Sequence, residues 1–106
     1  DLNPTSHYLI NKRNLSLMKP SAYLINAARG PIVNEADLIE ALEQSLVSGA
    51  ALDVFEAEPL PLDSPLRQMK NVILSPHNTN ASPRAWNRVH ENTVKNLIDE
   101  LKNSAR

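Results

Sequence analysis

Three short apolar segments, separated by stretches with helical spacing, restrict the fold of this chain more than any other feature. They cover residues 23–26, 50–55 and 72–74, and the second one is apolar almost throughout. Continuous apolar runs of this length are typical of strands that are covered on both faces of a parallel sheet. We therefore predict three strands, the second of them over residues 50–55.

The stretches between the strands carry signals for the start and end of helices. The expected helices are residues 12–18 after Asn11, a second helix that begins at Asn34 and ends at Gly49, and residues 83–102 after Ser82, with Pro83 first. The second helix has its apolar residues at helical spacing, namely Leu38, Ile39, Leu42 and Leu46. The third has a longer apolar stripe, which contains Trp86, Val89, Val94, Leu97, Ile98 and Leu101. Residues 56–71, with three prolines, are expected to form an irregular loop.

The order α-β-α-β-loop-β-α predicts an α/β fold with a parallel sheet. A complete doubly wound sheet has about six strands, and its dinucleotide fingerprint G-x-G-x-x-G needs three neighbouring glycines. This chain has two glycines, Gly30 and Gly49, and begins at Asp1 without a methionine. We therefore expect a fragment: residues 1–82 as the second half of a doubly wound, Rossmann-type parallel sheet, followed by a long C-terminal helix over residues 83–106.

Charge and composition exclude several classes of function. The formal net charge is −1, with 11 basic and 12 acidic residues, so we expect no nucleic-acid partner and no binding to an anionic membrane. No cysteine is present, which excludes disulfides, thiolate catalysis and zinc sites built on cysteine. This is consistent with a reducing compartment, and we predict a cytoplasmic location and no metal site.

Reactive side chains follow all three predicted strands. Arg29 follows the first, Asp53 and Glu58 lie at the end of the second and beyond it, and His77 follows the third. Ligands of open α/β sheets bind outside the carboxyl ends of the strands, where these residues would meet. An arginine can bind a carboxylate bidentately, and a histidine that is oriented by a carboxylate can transfer a proton near neutral pH. Together they suit a substrate whose carboxylate is next to a carbonyl or hydroxyl group.

Each of these residues also has a purely structural interpretation. Arg29 before Gly30 is compatible with a solvated turn, and Asp53 with a structural cap. Glu58 and His77 are each compatible with an ordinary loop position. The functional interpretation rests on three strand ends that each carry a reactive side chain.

Three runs of sequence resemble the D-isomer-specific 2-hydroxyacid dehydrogenases, which include phosphoglycerate dehydrogenase and glyoxylate/hydroxypyruvate reductase. The runs are residues 24–30 (LINAARG), 49–60 (GAALDVFEAEPL) and 71–77 (NVILSPH). The resemblance implies the later part of an NAD- or NADP-binding domain. It also implies hydride transfer between the nicotinamide and a small 2-hydroxy or 2-keto acid by a parent enzyme that forms a homodimer.

The resemblance further implies individual roles. Arg29 matches the arginine that binds the substrate carboxylate, His77 the general acid and base beside the cofactor, and Glu58 the glutamate that bonds this histidine. Asp53 matches the aspartate that holds the nicotinamide carboxamide, and Ala28 belongs to the same cofactor-facing segment. Leu2 and Asn3 resemble part of a family turn beside the cofactor.

One departure from the family pattern follows His77. Residues 78–82 read NTNAS, where the family has small residues and a glycine, so the substrate is not assigned by analogy. Two alternatives stay open at this point: a nucleotide-sensing binding protein of the corepressor kind, and a folded or dimerising remnant without activity. On the leading hypothesis, the 106 residues alone are expected to be inactive, because the turn that binds the pyrophosphate is absent from them.

Overall fold

The computed structural model describes residues 2–79 and 81–105. Its sheet has three strands in the order β1 (Tyr23–Asn26), β2 (Gly49–Leu52) and β3 (Val72–Leu74). Both pairs are parallel, with Tyr23 opposite Gly49 and Ala50 opposite Val72. The predicted three-stranded parallel sheet is therefore confirmed. The predicted bounds 1–82 and 83–106, and the polar run 78–82, include Asp1, Asn80 and Arg106, which lie outside the described residues.

Three helices accompany the sheet, and each begins at its predicted cap. They are α1 (Lys12–Ser16), α2 (Glu35–Glu43) and α3 (Pro83–Ser104). The caps share one device, a side-chain oxygen that accepts a backbone N–H in the first turn, and they are Asn11, Asn34 and Ser82. The helix starts could thus be predicted because a capping side chain is a local signal.

The ends of α1 and α2 correct the prediction. Helix α1 stops two residues before Met18, in a tighter turn where Met18 N–H donates to the carbonyl of Leu15. Helix α2 ends at Glu43, so Leu46 lies outside it and Gly49 begins β2 instead of ending the helix. Ser45 takes the left-handed conformation with φ of 57°, and the N–H of Leu46 donates to the carbonyl of Ala41. A Schellman motif with serine in the usual place of glycine therefore ends α2.

The second strand is also shorter than predicted. Pairing ends at Leu52, although Val54 and Phe55 are buried. Beyond the strand, Asp53 N–H still donates to the carbonyl of Asn26 at 3.0 Å, while Phe55 N–H turns to the carboxylate of Glu58 at 3.1 Å. The apolar run continues into the loop because Val54 and Phe55 fill the core without belonging to the ladder.

The core lies on one face of the sheet, under α1 and α2. Its fully buried side chains include Leu15 of α1, Leu38 of α2, and Leu66 in a short 3₁₀ turn over Pro65–Gln68. The other face of the sheet exposes large apolar side chains of the two outer strands, namely Tyr23 and Ile25 of β1 and Ile73 of β3. The apolar stripe of α3 is exposed as well. Among the described residues, no helix has the length and apolar character needed to cross a membrane.

Both glycines lie where another backbone segment comes too close to leave room for a side chain. Neither has a positive φ, so neither is required for a left-handed conformation. A Cβ on Gly49 would lie 2.3 Å from the carbonyl oxygen of Asn71, and one on Gly30 would lie 1.9 Å from that of Phe55. Gly30 thus lets the turn after β1 contact the segment after β2.

We expect Gly30→Ala to lower the free energy of unfolding by about 3 kcal/mol, the upper end of the range for overpacking. The reason is that the added methyl group meets backbone atoms of Phe55, which cannot rotate away. Urea denaturation of the 106-residue chain measures this change, with Ser21→Ala, at an exposed turn, as a control that shifts stability by less than about 0.5 kcal/mol. Equal stability of Gly30→Ala and the parent would contradict the contact.

Candidate active site

The predicted site residues lie beyond the carboxyl ends of three adjacent parallel strands. Arg29 follows β1, Glu58 lies in the loop after β2, and His77 follows β3. The ladder continues one residue past the strands, because Ser75 N–H donates to the carbonyl of Leu52 at 2.9 Å. The sheet therefore brings these segments to one edge, where open α/β sheets bind their ligands.

His77 and Glu58 form a direct pair. Nδ1 of His77 lies 2.8 Å from Oε2 of Glu58, and the other carboxylate oxygen accepts the N–H of Phe55 at 3.1 Å. The hydrogen bond from His77 lowers the pKa of Glu58 most, and the Phe55 N–H and the charge of Arg29 lower this pKa further. Since an ionised carboxylate only accepts hydrogen bonds, Nδ1 carries a proton and Nε2 of His77 is the atom available for proton transfer.

Arg29 sits on a turn that a buried asparagine shapes. Asn26, 7% exposed, donates from Nδ2 to the carbonyl of Arg29 at 3.0 Å and accepts the N–H of Ala28 at 3.1 Å. The guanidinium of Arg29 is exposed, and its Nη1 donates to the carbonyl of Ala28 at 2.7 Å. Sequence reasoning missed the role of Asn26. A polar residue that ends an apolar strand was the available signal.

Asp53 is buried, with 3% of its surface exposed, and its carboxylate binds backbone groups. Oδ1 accepts the N–H of Asn78 at 2.8 Å, and Oδ2 accepts the N–H of Thr79 at 3.0 Å. Burial alone would raise the pKa of Asp53, but these two N–H groups, with the hydroxyls of Ser75 and Thr79, lower it to about 2. The residue is therefore an anion at neutral pH that ties the end of β2 to the segment after His77.

A cleft of about 540 Å³ lies beside the His77–Glu58 pair. Its walls are mostly apolar, from Phe55, Leu60 and Leu74, and Arg67 adds a cation. The guanidinium of Arg67 donates to the carbonyls of Leu60 and Pro61, which fixes the loop that carries Glu58. Arg67 was not among the predicted residues, because its partners are backbone carbonyls that no side-chain pattern reveals.

The remaining predicted residues lie in the turn at the start of the described chain. Oδ1 of Asn3 accepts the N–H and hydroxyl of Thr5 and the N–H of Ser6, so Asn3 orders this turn locally. Leu2 is 40% exposed. Within residues 2–79 and 81–105, no hydrogen bond joins Leu2 or Asn3 to Arg29, Glu58 or His77, and no cluster of three histidine, cysteine or acidic residues fits a metal ion.

Comparison with known proteins gives the family of this chain. The family model described as "D-isomer specific 2-hydroxyacid dehydrogenase, NAD binding domain" matches residues 1–79. A glyoxylate reductase of Thermofilum pendens is 48% identical over 101 residues, which are 95% of this chain and 30% of that protein. The chain thus spans about a third of the length of such relatives.

Two solved structures illustrate the likeness of fold. A D-isomer specific 2-hydroxyacid dehydrogenase from Xanthobacter autotrophicus Py2, in complex with NADPH and MES, is 49% identical with a TM-score of 0.70, covering 72% of this chain and 24% of that one. The NAD-complexed enzyme of the same kind from Lactobacillus delbrueckii ssp. bulgaricus is 28% identical with a TM-score of 0.80, covering 96% of this chain and 35% of that one. Since the family model covers 79 of the 106 residues, this chain belongs to the D-isomer specific 2-hydroxyacid dehydrogenases, within their NAD-binding domain.

Proposed function

We propose that this chain is part of an NAD- or NADP-dependent oxidoreductase that interconverts a D-2-hydroxy acid and the corresponding 2-keto acid. The observation that carries the proposal is the His77–Glu58 pair, joined at 2.8 Å at the carboxyl edge of the sheet, in a chain of this family. Glyoxylate or a related small 2-keto acid is the proposed substrate, in line with the reductase from Thermofilum pendens. The relatives named above are enzymes by name, so the corepressor alternative gains no support.

The residues fit one part of a nicotinamide cofactor site. The sheet edge offers an exposed cation on Arg29 and the free Nε2 of His77 beside an open cleft. The chain has no G-x-G-x-x-G turn for the phosphates, so that part would have to come from other residues. When bound, a nicotinamide supplies hydride transfer, and the protein supplies orientation and charge. We propose Ala28, Asp53, His77, Leu2 and Asn3 as the residues on the cofactor side.

The catalytic roles follow from the chemistry of each side chain. Arg29 would bind the substrate carboxylate and stabilise negative charge on the reacting oxygen, because its guanidinium is a permanent, bidentate cation. His77 would give a proton to that oxygen from Nε2 in reduction and take it back in oxidation. Glu58 would hold Nδ1 of His77 and balance the positive charge of the imidazolium.

The place of the chain in a larger protein is a further part of the proposal. We assign residues 1–82 to the later half of the dinucleotide-binding domain and residues 83–106 to a helix that returns toward a substrate domain. The exposed stripe of α3 supports a covered position in the complete enzyme. We also propose that the enzyme is a cytoplasmic homodimer, which sedimentation and cell fractionation would check.

We expect the 106-residue chain alone to show no turnover of glyoxylate or hydroxypyruvate with NADH or NADPH, whereas a protein of the relatives' length that contains this chain is active. The reason is that the phosphate-binding turn lies outside these residues. Absorbance of the reduced nicotinamide measures both rates. Activity of the short chain, or inactivity of the long protein with every 2-keto acid tried, would overturn the proposal.

In the long protein, we expect His77→Ala to lower kcat roughly 10²–10⁴-fold, the usual contribution of general acid–base catalysis. Arg88→Ala is the control, because Arg88 is exposed on the face of α3 opposite the apolar stripe. Steady-state rates of the two variants, measured with the same 2-keto acid, decide the role of His77. An unchanged kcat for His77→Ala would exclude it as the acid.

We expect Arg29→Lys to raise the KM for the keto acid and to lower kcat, since an ammonium group cannot replace a bidentate fork. Arg13→Lys, an exposed position on α1, is the control and should leave both constants unchanged. If Arg29→Lys keeps both constants at the parent values, Arg29 does not bind the substrate.

A further inference from the structure

The backbone of His77 has an uncommon conformation. Its φ is 56°, in the left-handed region that residues other than glycine rarely occupy. Such a conformation costs free energy and persists where the surroundings fix it. The residue nevertheless lies in an exposed segment, so packing around the imidazole does not hold it. The contacts that fix this backbone are therefore of functional interest.

The strongest of these contacts come from Asp53, at the end of the neighbouring strand. Its two carboxylate oxygens accept the N–H groups of Asn78 and Thr79, at 2.8 and 3.0 Å, directly after His77. Before His77, the N–H of Ser75 donates to the carbonyl of Leu52. The segment is thus attached to the end of β2 on both sides of the histidine.

We propose that Asp53 is a positioning residue for His77: its buried carboxylate holds the backbone after His77 so that the imidazole meets Glu58 and presents Nε2 to the substrate. The proposal rests on the proposed function for the role of Nε2, but the clamp itself is a property of this chain. It adds to the cofactor contact proposed above a second task, carried out through the main chain.

The chemistry of the contact explains why a carboxylate occupies this position. Two backbone N–H groups point at one buried side chain, and each donates to its own carboxylate oxygen. An asparagine of the same shape offers one acceptor, and its NH₂ group would face the second N–H. Hydrogen bonds to an ionised acceptor are also about twice as strong as neutral ones. A substitution at Asp53 should therefore loosen the backbone after His77.

Nuclear magnetic resonance on the 106-residue chain tests the clamp without any assay of activity. For Asp53→Asn, we expect amide exchange of Asn78 and Thr79 to accelerate at least about tenfold, because a hydrogen bond to a charged group is lost. We also expect the imidazole ¹⁵N shifts of His77 to move toward the Nε2–H tautomer as its contact with Glu58 weakens. Asp63→Asn, in the exposed part of the same loop, is the matched control and should change neither.

A measurement on the unmodified chain covers the case in which Asp53→Asn does not fold. The clamp requires a scalar coupling through the hydrogen bond between Cγ of Asp53 and the amide nitrogens of Asn78 and Thr79. Detection of both couplings supports the clamp, and their absence overturns it. Unchanged amide exchange and unchanged His77 shifts in a folded Asp53→Asn chain would overturn it as well.

Kinetics of the long protein separate positioning from cofactor binding. If Asp53 positions His77, Asp53→Asn should lower kcat roughly 10²-fold, the order expected from a small misplacement of a catalytic group. Because Asp53 is also proposed on the cofactor side, the KM for the cofactor should rise as well, so the fall in kcat is the effect that positioning alone predicts. A raised cofactor KM with unchanged kcat would assign Asp53 to the cofactor alone and overturn the proposal. Since the clamp is measured by resonance, failure of the enzymatic proposal remains distinguishable from failure of this one.

Discussion

The hydrogen bonds that extend the parallel ladder past the ends of the strands are the interaction on which the site depends. Asp53 N–H donates to the carbonyl of Asn26, and Ser75 N–H donates to that of Leu52. Because the strands are parallel, these bonds hold three chain segments together at one edge, although the segments are far apart in the sequence. Three segments start from this shared edge: the turn that carries Arg29, the loop that carries Glu58 and the segment that carries His77.

Close approach of backbones then brings the segments into contact. Gly30 lies against the main chain of Phe55, with no room for a Cβ. The N–H of Phe55 in turn binds Glu58, and Glu58 binds His77. The turn after β1 therefore reaches the His77–Glu58 pair through the segment after β2. This arrangement explains how Arg29 comes close enough for its charge to lower the pKa of Glu58.

Local signals in the sequence predicted a large part of this fold. The caps at Asn11, Asn34 and Ser82 fixed three helix starts, and the apolar runs located all three strands. The predicted ends of α2 and β2 were wrong for one reason: hydrogen bonds of main-chain N–H groups decide where each element ends. Ser45 ends α2 in a conformation that glycine usually supplies, and Phe55 leaves the ladder to bind Glu58.

The acidic residues after β2 show what a resemblance transfers and what it does not. Glu58 binds an imidazole, and Asp53 binds two backbone N–H groups. The carboxylates of Glu56 and Glu35 each accept the backbone N–H of the other residue, and that of Glu56 also accepts the hydroxyl of Tyr8. Burial raises the pKa of Glu35, whereas hydrogen bonds lower that of Asp53. A motif records residue type and position, and an acidic residue at such a position can carry out any of these tasks. Only the partners of each oxygen separate them, and those partners come from segments that the motif does not contain.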